Sequence, residues 1–367
     1  MKNLTQKLSK QFFGAGVRVV TLALFLVVFG ASAALAQTRG YVTNSDDDTV
    51  SVIDPSTNTV VATIPVGDFP NGVAVTPNGS FAYVANSFGQ SVSVIDAATN
   101  MVVATIPIPN PIKIAITPNG AFAYVTRSEN HVTVIDTATN AVTEDIPLAS
   151  RPRGIAITPS GALAYVVLTD VGAVAIIDTR RNSVVATVSG VGASQGIAIT
   201  PNGAFAYVAA AGNVAVISTA TNMVVATVPV GPSPQGIAIT PNGAFAYVSN
   251  GGSDNVSVID TGTNTVIATV PVGTSPAGVA IDPTGAFAYV ANQGNNNVSV
   301  IDTATNLVVQ TISVGSGPRS IAFTPPSHGP TNIDQCKNGG WGTFTNPTFK
   351  NQGECVAFVN HMNHVSN

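Results

Sequence analysis

The amino-acid sequence predicts an all-β fold assembled from seven similar units, and three observations lead to that prediction. Strand-forming valine and threonine, together with turn-forming asparagine and glycine, dominate the composition. The nonapeptide TPNGAFAYV occurs three times, and near copies of it occur three more times. All seven tyrosines of the chain recur at the same point of this repeat, 40 to 42 residues apart. A period of this length indicates a fold built from repeated supersecondary units.

Each unit contains four strand-like runs separated by turn residues. In one unit the runs are GVAVT at 72–76, SFAYVAN at 80–86, SVSVID at 91–96 and MVVATIPV at 101–108. They are rich in β-branched residues and largely alternate with a period of two, which is typical of strands. None has apolar residues at helical spacing over a useful length. The unit is therefore predicted to be a four-stranded antiparallel sheet.

The repeated TPNG segment is predicted to form the hairpin turn between the first two strands. Its proline fixes φ at the first turn position, and its glycine can adopt a positive φ. The flanking runs are apolar on both faces, so we expect them to lie between neighbouring sheets. The Phe and the Tyr of each copy are two residues apart and share a face, where they can pack on the adjoining sheet.

Counting the units predicts a seven-bladed β-propeller. A four-stranded repeat of about 40 residues is typical of a propeller blade. The first unit enters at Tyr41 without an inner strand, and the run SIAFT at 320–324 is a spare inner strand. We expect this C-terminal strand to complete the first blade and close the ring, because closure removes the exposed ends of an open stack. The predicted inner strands begin near Gly72, Lys113, Gly154, Gly196, Gly236, Gly278 and Ser320.

The outermost strand of each blade is predicted to remain an edge. A proline there cannot donate to a neighbouring ladder, so it opposes association between edges. Five of the seven units have such a proline, at Pro65, Pro107, Pro147, Pro229 and Pro271.

Residues 1–36 are predicted to be an export signal. Four basic residues precede or open an 11-residue apolar run at 19–29, and Ala34-Leu35-Ala36 fits the small-x-small cleavage pattern. The run is short for a membrane span of about 20 residues, so an uncleaved anchor is the less favoured interpretation. Cleavage after Ala36 takes the net charge from −4 to −8. We expect a secreted, extracellular or periplasmic chain with no stable membrane span, and an acidic chain is a poor partner for nucleic acid.

The tyrosine segments resemble the YVTN-repeat β-propeller family. The motif that gives the family its name stands at 41–44 as YVTN, and it recurs as YVAN at 83–86 and 289–292 and as YVSN at 247–250. The resemblance covers about residues 40–325 and implies an exported or cell-surface seven-bladed propeller. It implies no single activity, since similar propellers serve as lactonases, as subunits of redox enzymes and as lyases.

Two units depart from the family pattern, with YVVL at 165–168 and Ser218 in place of an aspartate. We expect these departures to alter single loops and to leave the architecture of 37–325 intact. Residues 326–367 are predicted to form a separate small module, which resembles a C-terminal module of various secreted bacterial proteins. In an exported protein, its Cys336 and Cys355 are expected to form one disulfide.

Repeated aspartates could suggest metal binding, but a turn role is the favoured interpretation. Each opens a short loop, of the form D-x-x-T-N in five of the six cases, where its side chain can accept backbone N–H groups. The run at 46–48 is the one acidic cluster, and three consecutive aspartates cannot all point one way. A calcium site needs six to eight oxygen ligands, so a solvated loop is favoured there as well. The repeated residues are Asp54, Asp96, Asp136, Asp178, Asp260 and Asp302.

Positions at which one unit departs from the others are candidate binding residues. The loop predicted to enter each inner strand has the form P-x-G, with Arg153 and Arg319 at x in two units and Lys113 in place of the glycine in another. With Arg127 and Arg151, these cations are predicted to bind an anionic ligand at one mouth of the channel. The competing interpretation is that exposed loops are polar and vary without a functional cause.

Two functions follow from these features. The favoured one is a binding or interaction scaffold for an unknown protein or envelope ligand, because the units are nearly identical and charged residues are few. The alternative is a lactonase-like propeller enzyme acting on a small anionic substrate, with Glu129 and His131 as acid and base. The sequence indicates no cofactor and no metal, and it contains no CxxCH motif for covalent haem. We expect a monomer that is not an enzyme.

Overall fold

The computed structural model describes residues 38–192, 194–325, 352–354 and 356. Within these residues, 28 strands form seven antiparallel sheets of four strands each, which confirms the predicted all-β seven-bladed propeller. No helix in the described part of the chain is long and apolar enough to cross a membrane. The export signal and both cysteines lie outside the described residues, so signal cleavage and the disulfide stay predictions.

The strands follow one another from the channel outward in each blade. Blade 1 contains β1 (Gly40–Asn44), β2 (Thr49–Asp54) and β3 (Thr59–Pro65), and blade 2 contains β4 (Pro70–Val75), β5 (Phe81–Asn86), β6 (Ser91–Asp96) and β7 (Met101–Pro107). Blade 3 contains β8 (Pro111–Ile116), β9 (Phe122–Arg127), β10 (His131–Asp136) and β11 (Ala141–Pro147), and blade 4 contains β12 (Pro152–Ile157), β13 (Leu163–Leu168), β14 (Ala173–Asp178) and β15 (Ser183–Val188). Blade 5 contains β16 (Ser194–Ile199), β17 (Phe205–Ala210), β18 (Asn213–Ser218) and β19 (Met223–Pro229), and blade 6 contains β20 (Pro234–Ile239), β21 (Phe245–Asn250), β22 (Asn255–Asp260) and β23 (Thr265–Pro271). Blade 7 contains β24 (Pro276–Ile281), β25 (Phe287–Asn292), β26 (Asn297–Asp302) and β27 (Leu307–Ser313), and the chain then returns to blade 1 with β28 (Pro318–Phe323).

The ring closes as the sequence predicts. Strand β28 is the inner strand of blade 1, in the order β28-β1-β2-β3. It pairs antiparallel with β1, so that Gly40 lies opposite Phe323 and Tyr41 lies opposite Ala322. Each end of the propeller segment therefore contributes to one sheet, and separating the ends requires breaking a four-stranded blade.

The P-x-G segments are part of the inner strands, and their prediction as entry loops is wrong. Inner strand β4 begins at Pro70, which pairs with Asn86, and the next paired residue is Val73, opposite Val84. The two residues between them form a β-bulge, which keeps the strand continuous while it leaves them outside the ladder. The same shift occurs in every blade.

The core lies between the blades and is formed by the second and third strands. The seven tyrosines are all completely buried. A typical interface packs Tyr124 and Val134 of blade 3 against Val166 and Ile177 of blade 4. Because every blade presents the same apolar faces, the interfaces repeat around the ring.

The tyrosine hydroxyls join neighbouring blades in a way that the sequence analysis did not foresee. Tyr124 Oη donates to Asn182 Oδ1 at 2.6 Å, and Asn182 is the last residue of the loop that Asp178 opens in the next blade. That asparagine has a positive φ of 48°, a conformation that asparagine tolerates better than most residues. The equivalent pairs are Tyr83–Asn140, Tyr165–Asn222, Tyr207–Asn264, Tyr247–Asn306 and Tyr289–Asn58.

Replacing Tyr124 by phenylalanine is expected to lower the free energy of unfolding by about 1–2 kcal/mol, because the substitution leaves a buried acceptor on Asn182 without its donor. Urea denaturation measures the change. Tyr41→Phe is the matched control, since the Tyr41 hydroxyl and Asn100 Oδ1 of the next blade have no hydrogen-bond partner. Equal losses in the two variants would contradict the proposed contribution of the interblade bond.

The repeated aspartates have the predicted turn role. Asp96 Oδ1 accepts the backbone N–H groups of Ala98 and Thr99 at 3.0 and 2.8 Å, and it also accepts the Thr99 hydroxyl. Backbone hydrogen bonds of this kind hold the pKa of Asp136 and Asp260 below the ordinary value.

The five prolines predicted for the outermost strands are the last residues of those strands, which are β3, β7, β11, β19 and β23.

Candidate functional site

The candidate site is a cavity of about 180 Å³ at the axis of the ring, lined by the inner strands of all seven blades. Each β-bulge contributes one side chain from its x position, and these are Asn71, Ile112, Arg153, Gln195, Gln235, Ala277 and Arg319. The following residue forms a second layer, in which Lys113, Ser320 and four glycines line the cavity. The β-bulges therefore determine which side chains reach the axis.

Glycine is needed in most of this second layer because the inner strands approach closely. A Cβ on Gly154 would lie 2.5 Å from the carbonyl oxygen of Gln195 in the next blade. Blades 3 and 1 are the exceptions, with Lys113 and Ser320 at this position. In blade 3 the Thr126 hydroxyl accepts the Lys113 backbone N–H at 3.0 Å and donates to the Arg153 carbonyl at 2.9 Å.

Lys113 extends across the channel. Its Nζ donates to Ser320 Oγ at 3.1 Å, so a residue of blade 3 contacts a residue of blade 1. Gly72 of the intervening blade 2 has no side chain to block this path. Burial and, to a smaller extent, the positive charges of Arg319 and Arg153 together lower the pKa of Lys113 to about 8. The amine is therefore a poorly solvated cation beside two others.

The two arginines of the cavity lack anionic partners. The Nε atoms of Arg153 and Arg319 are buried without a hydrogen bond, and neither side chain forms a salt bridge with a described residue. Burial is the main cause that lowers the pKa of each guanidinium. The negative charge of Asp170 opposes the lowering of the Arg153 pKa, and that of Asp46 opposes the lowering of the Arg319 pKa, without a direct salt bridge in either case. Unpaired guanidinium groups at a cavity are suited to binding carboxylate or phosphate oxygens.

Phe69 is a strained aromatic residue beside the cavity that sequence reasoning missed. Its φ is +55°, which is a genuine outlier for a bulky side chain. Its ring stacks on Phe88 with centroids 4.3 Å apart, and the Arg319 guanidinium lies 4.6 Å from its centroid. Strain of this kind often accompanies a functional site. In four other blades the equivalent residue also has a positive φ and is of a smaller or more permissive type, and these residues are Asn110, Ser233, Ser275 and Gly317.

The remaining predicted binding residues lie away from the cavity lining. Arg127 pairs with Asp145 of the outer strand at 3.2 Å and with Glu129 at 3.4 Å. Arg151 forms a surface salt bridge with Asp170 at 2.9 Å. Both arginines therefore have carboxylate partners already, whereas the cations of the channel have none.

The residues proposed as acid and base are bonded to their neighbours in blade 3. Glu129 accepts from Asn110 and pairs with Arg127. The half-buried His131 has its Nδ1 atom 2.7 Å from the Glu129 carbonyl oxygen. Neither residue lines the cavity that contains Lys113, Arg153 and Arg319.

The acidic run at 46–48 binds backbone groups. Asp47 Oδ2 accepts the N–H of Ser316 at 2.6 Å, and Asp48 Oδ1 accepts the N–H of Phe69 at 2.8 Å. These bonds attach the loop to the entries of two inner strands. Among the residues that the structure describes, no three His, Cys, Asp or Glu side chains form a group that could hold a metal ion.

Comparison with known proteins identifies the family. The model of YNCE-like β-propellers matches residues 15–326 of this chain. The chain belongs to the YNCE-like β-propeller family. Among solved structures, this YNCE-like propeller is similar to hydrazine synthase of Kuenenia stuttgartiensis, with 28% identity, a TM-score of 0.66, and coverage of 72% of this chain and 92% of the other.

Other similarities of the YNCE-like propeller are more distant or more local. A functionally unknown protein from Desulfotomaculum acetoxidans DSM 771 shares 20% identity with a TM-score of 0.71, over 78% of this chain and 99% of that one. The dihydro-haem d1 dehydrogenase NirN shares 17% identity with a TM-score of 0.59, over 75% and 63%. A 37-residue match to the protein PE_PGRS18 of Mycobacterium tuberculosis (strain ATCC 25618 / H37Rv) is 62% identical and covers 10% of this chain and 8% of that protein.

Proposed function

We propose that this protein is an exported binding protein that holds a small organic anion at the cationic end of its channel. The observation that carries the proposal is the grouping of Lys113, Arg153 and Arg319 around one cavity, with both Nε atoms unpaired. The described residues that line the cavity include no aspartate or glutamate. An anion would counter the repulsion that Arg319 and Arg153 exert on Lys113.

The surrounding amides and the size of the cavity limit the ligand. Asn71, Gln195 and Gln235 add hydrogen-bonding groups to the same ring. A cavity of about 180 Å³ suits an anion of a few non-hydrogen atoms, such as a small carboxylate or phosphate. Arg319 is further positioned by its contact with Phe69, which is worth about 0.5–2 kcal/mol for a cation over an aromatic ring.

The scaffold role and the location belong to the same proposal. A signal at residues 1–36 would deliver the chain to the cell envelope or beyond, where an envelope ligand could supply the anion. The relatives named above include proteins of different activity, and fold similarity transfers none of these activities. The hydrolase alternative has less support, because Glu129 and His131 are bonded to neighbours in blade 3 and do not line the cavity.

The variants Arg153→Gln and Arg319→Gln are each expected to weaken anion binding at least about tenfold, because a charge-assisted hydrogen bond contributes about 1.5–3 kcal/mol. Isothermal titration calorimetry of the mature chain with malonate and with phosphate measures the affinities. The control is Arg181→Gln, which makes the same charge change at an exposed side chain paired with Asp178. If all three variants bind as the wild type does, or if the wild type binds neither anion, the proposed function is wrong.

A further inference from the structure

We infer that Lys113 is an imine-forming residue that reacts reversibly with small anions bearing an aldehyde or keto group, such as α-keto acids. The inference rests on the proposed function, because the anionic group of such a compound must first be held by Arg153 and Arg319. It assigns a covalent chemistry to the site and thereby names the class of ligand.

The geometry brings the required groups together. The side chain of Lys113 lines the cavity from β8, Arg153 lines it from β12, and Arg319 and Ser320 line it from β28. A carboxylate between the guanidinium groups would place its neighbouring carbonyl carbon within the same small cavity as the amine. The channel residues of the other four blades are uncharged, and they are Asn71, Gln195, Gln235 and Ala277 with their adjoining glycines.

The environment also makes the amine reactive. Only a neutral amine attacks a carbonyl carbon, and an ordinary lysine is almost completely protonated near neutral pH. Since burial and the two arginines lower the pKa of Lys113 to about 8, roughly a quarter of its amines are neutral at pH 7.5. The groups that face it supply positive charge from Arg153 and Arg319, while Asp170 and Asp46 act on those arginines from farther away.

The reaction balances without an oxidant or a reductant. The lone pair on Lys113 Nζ attacks the carbonyl carbon, a carbon–nitrogen bond forms, and the carbonyl oxygen takes up a proton. The nitrogen then loses its remaining hydrogen, and the oxygen leaves as water while the carbon–nitrogen double bond forms. Over the whole reaction the amine loses two hydrogens, which balance the two in the water. Ser320 Oγ, 3.1 Å from Nζ, can hold a proton during these transfers.

The reduction of an imine by cyanoborohydride provides the test. The mature protein is incubated with glyoxylate and cyanoborohydride, and peptide mass spectrometry quantifies carboxymethylation at each lysine. Residues 38–325 contain a single lysine, so Lys337 and Lys350 of the same chain are internal controls for non-specific alkylation. Lys113 is expected to react at least about tenfold faster than either control lysine, because a far larger fraction of its amines is neutral.

Two comparisons separate this inference from the proposed function. Arg319→Gln is expected to slow labelling of Lys113 at least about tenfold without changing Lys337 or Lys350, and excess malonate is expected to do the same in the wild type. If malonate binds calorimetrically but Lys113 reacts no faster than the control lysines, imine formation is disproved and anion binding stands. If malonate and phosphate both fail to bind, the proposed function is wrong. If Lys113 is labelled selectively but neither anion slows the labelling, the inferred placement of the carboxylate between Arg153 and Arg319 is wrong.

Discussion

Replacing Lys113 by methionine is expected to raise the free energy of unfolding of the ligand-free protein by about 2 kcal/mol at pH 7. Burial of the ammonium group, together with repulsion by Arg319 and Arg153, lowers its pKa to about 8. One pKa unit corresponds to about 1.4 kcal/mol, and the loss of the bond to Ser320 offsets part of the gain. Methionine fills a similar volume without a charge.

The pH dependence gives this prediction a second measurement. Because the pKa is about 8 in the folded state and about 10.4 in the unfolded state, the unfolded state binds more protons between these values. Lys113 therefore makes the free energy of unfolding of the wild type rise with pH between these two pKa values. Below the folded-state pKa of about 8, the charged amine destabilises the folded state to its full extent. Urea denaturation at pH 7 and pH 10 should show that the advantage of Lys113→Met shrinks at the higher pH.

The control for the methionine variant is Lys113→Arg, which keeps the charge at every accessible pH and should gain no stability. Adding malonate should stabilise the wild type by mass action and have little effect on Lys113→Met. A methionine variant that is less stable than the wild type at pH 7 would show that burial and repulsion of the charged amine do not destabilise the folded state.

Replacing Gly236 by alanine is expected to lower the free energy of unfolding by about 3 kcal/mol. The added Cβ would lie 2.5 Å from the carbonyl oxygen of Ala277 and 2.9 Å from the backbone nitrogen of Val279. Both atoms belong to the inner strand of blade 7, so a backbone must move, and overpacking of this kind costs about 1–3 kcal/mol or more. Thermal unfolding should show a midpoint lower by several degrees.

Ser320→Ala is the matched control for the glycine variant. Ser320 occupies the same position in blade 1, where a Cβ is already accommodated, and the substitution removes only the hydroxyl that accepts from Lys113. We expect a change of about 1 kcal/mol or less. Comparable losses in Gly236→Ala and Ser320→Ala would mean that close approach of the inner strands does not limit this position.

Local chemistry made much of the fold predictable. The number of blades follows from the number of tyrosine repeats and TPNG turns. The terminal runs at Tyr41 and Ser320, each of which lacks a partner strand in its own repeat, predict the ring closure that β28 and β1 form. The role of Asp96 and its equivalents was likewise predictable, because an aspartate that opens a tight loop binds backbone groups two and three residues later. These features depend on residues close together in the sequence or on an unbroken period.

Features that depend on contacts between blades were harder to predict. The β-bulge at Asn71 and Gly72 has no simple local signature, since the same P-x-G residues also suit a loop. Phe69 could have been noticed as an aromatic residue at a position where blades 3, 6, 7 and 1 have asparagine, serine or glycine. The tyrosines and the loop asparagines recur with the same period, so hydrogen bonds between them could have been predicted.

The sequence alone determined that Arg153 and Arg319 occupy equivalent places in two blades and that Lys113 occupies the next position in a third, because the repeat assigns every residue a position in its blade. Only the tertiary structure decided which of the predicted cations lack a carboxylate partner among the described residues. It turns Arg127 toward Asp145 and Glu129, and it brings Lys113 to Ser320, 207 residues away in the chain. The reason is physical, since burial and charge repulsion depend on distances through space that a ring of blades creates and a linear repeat does not contain.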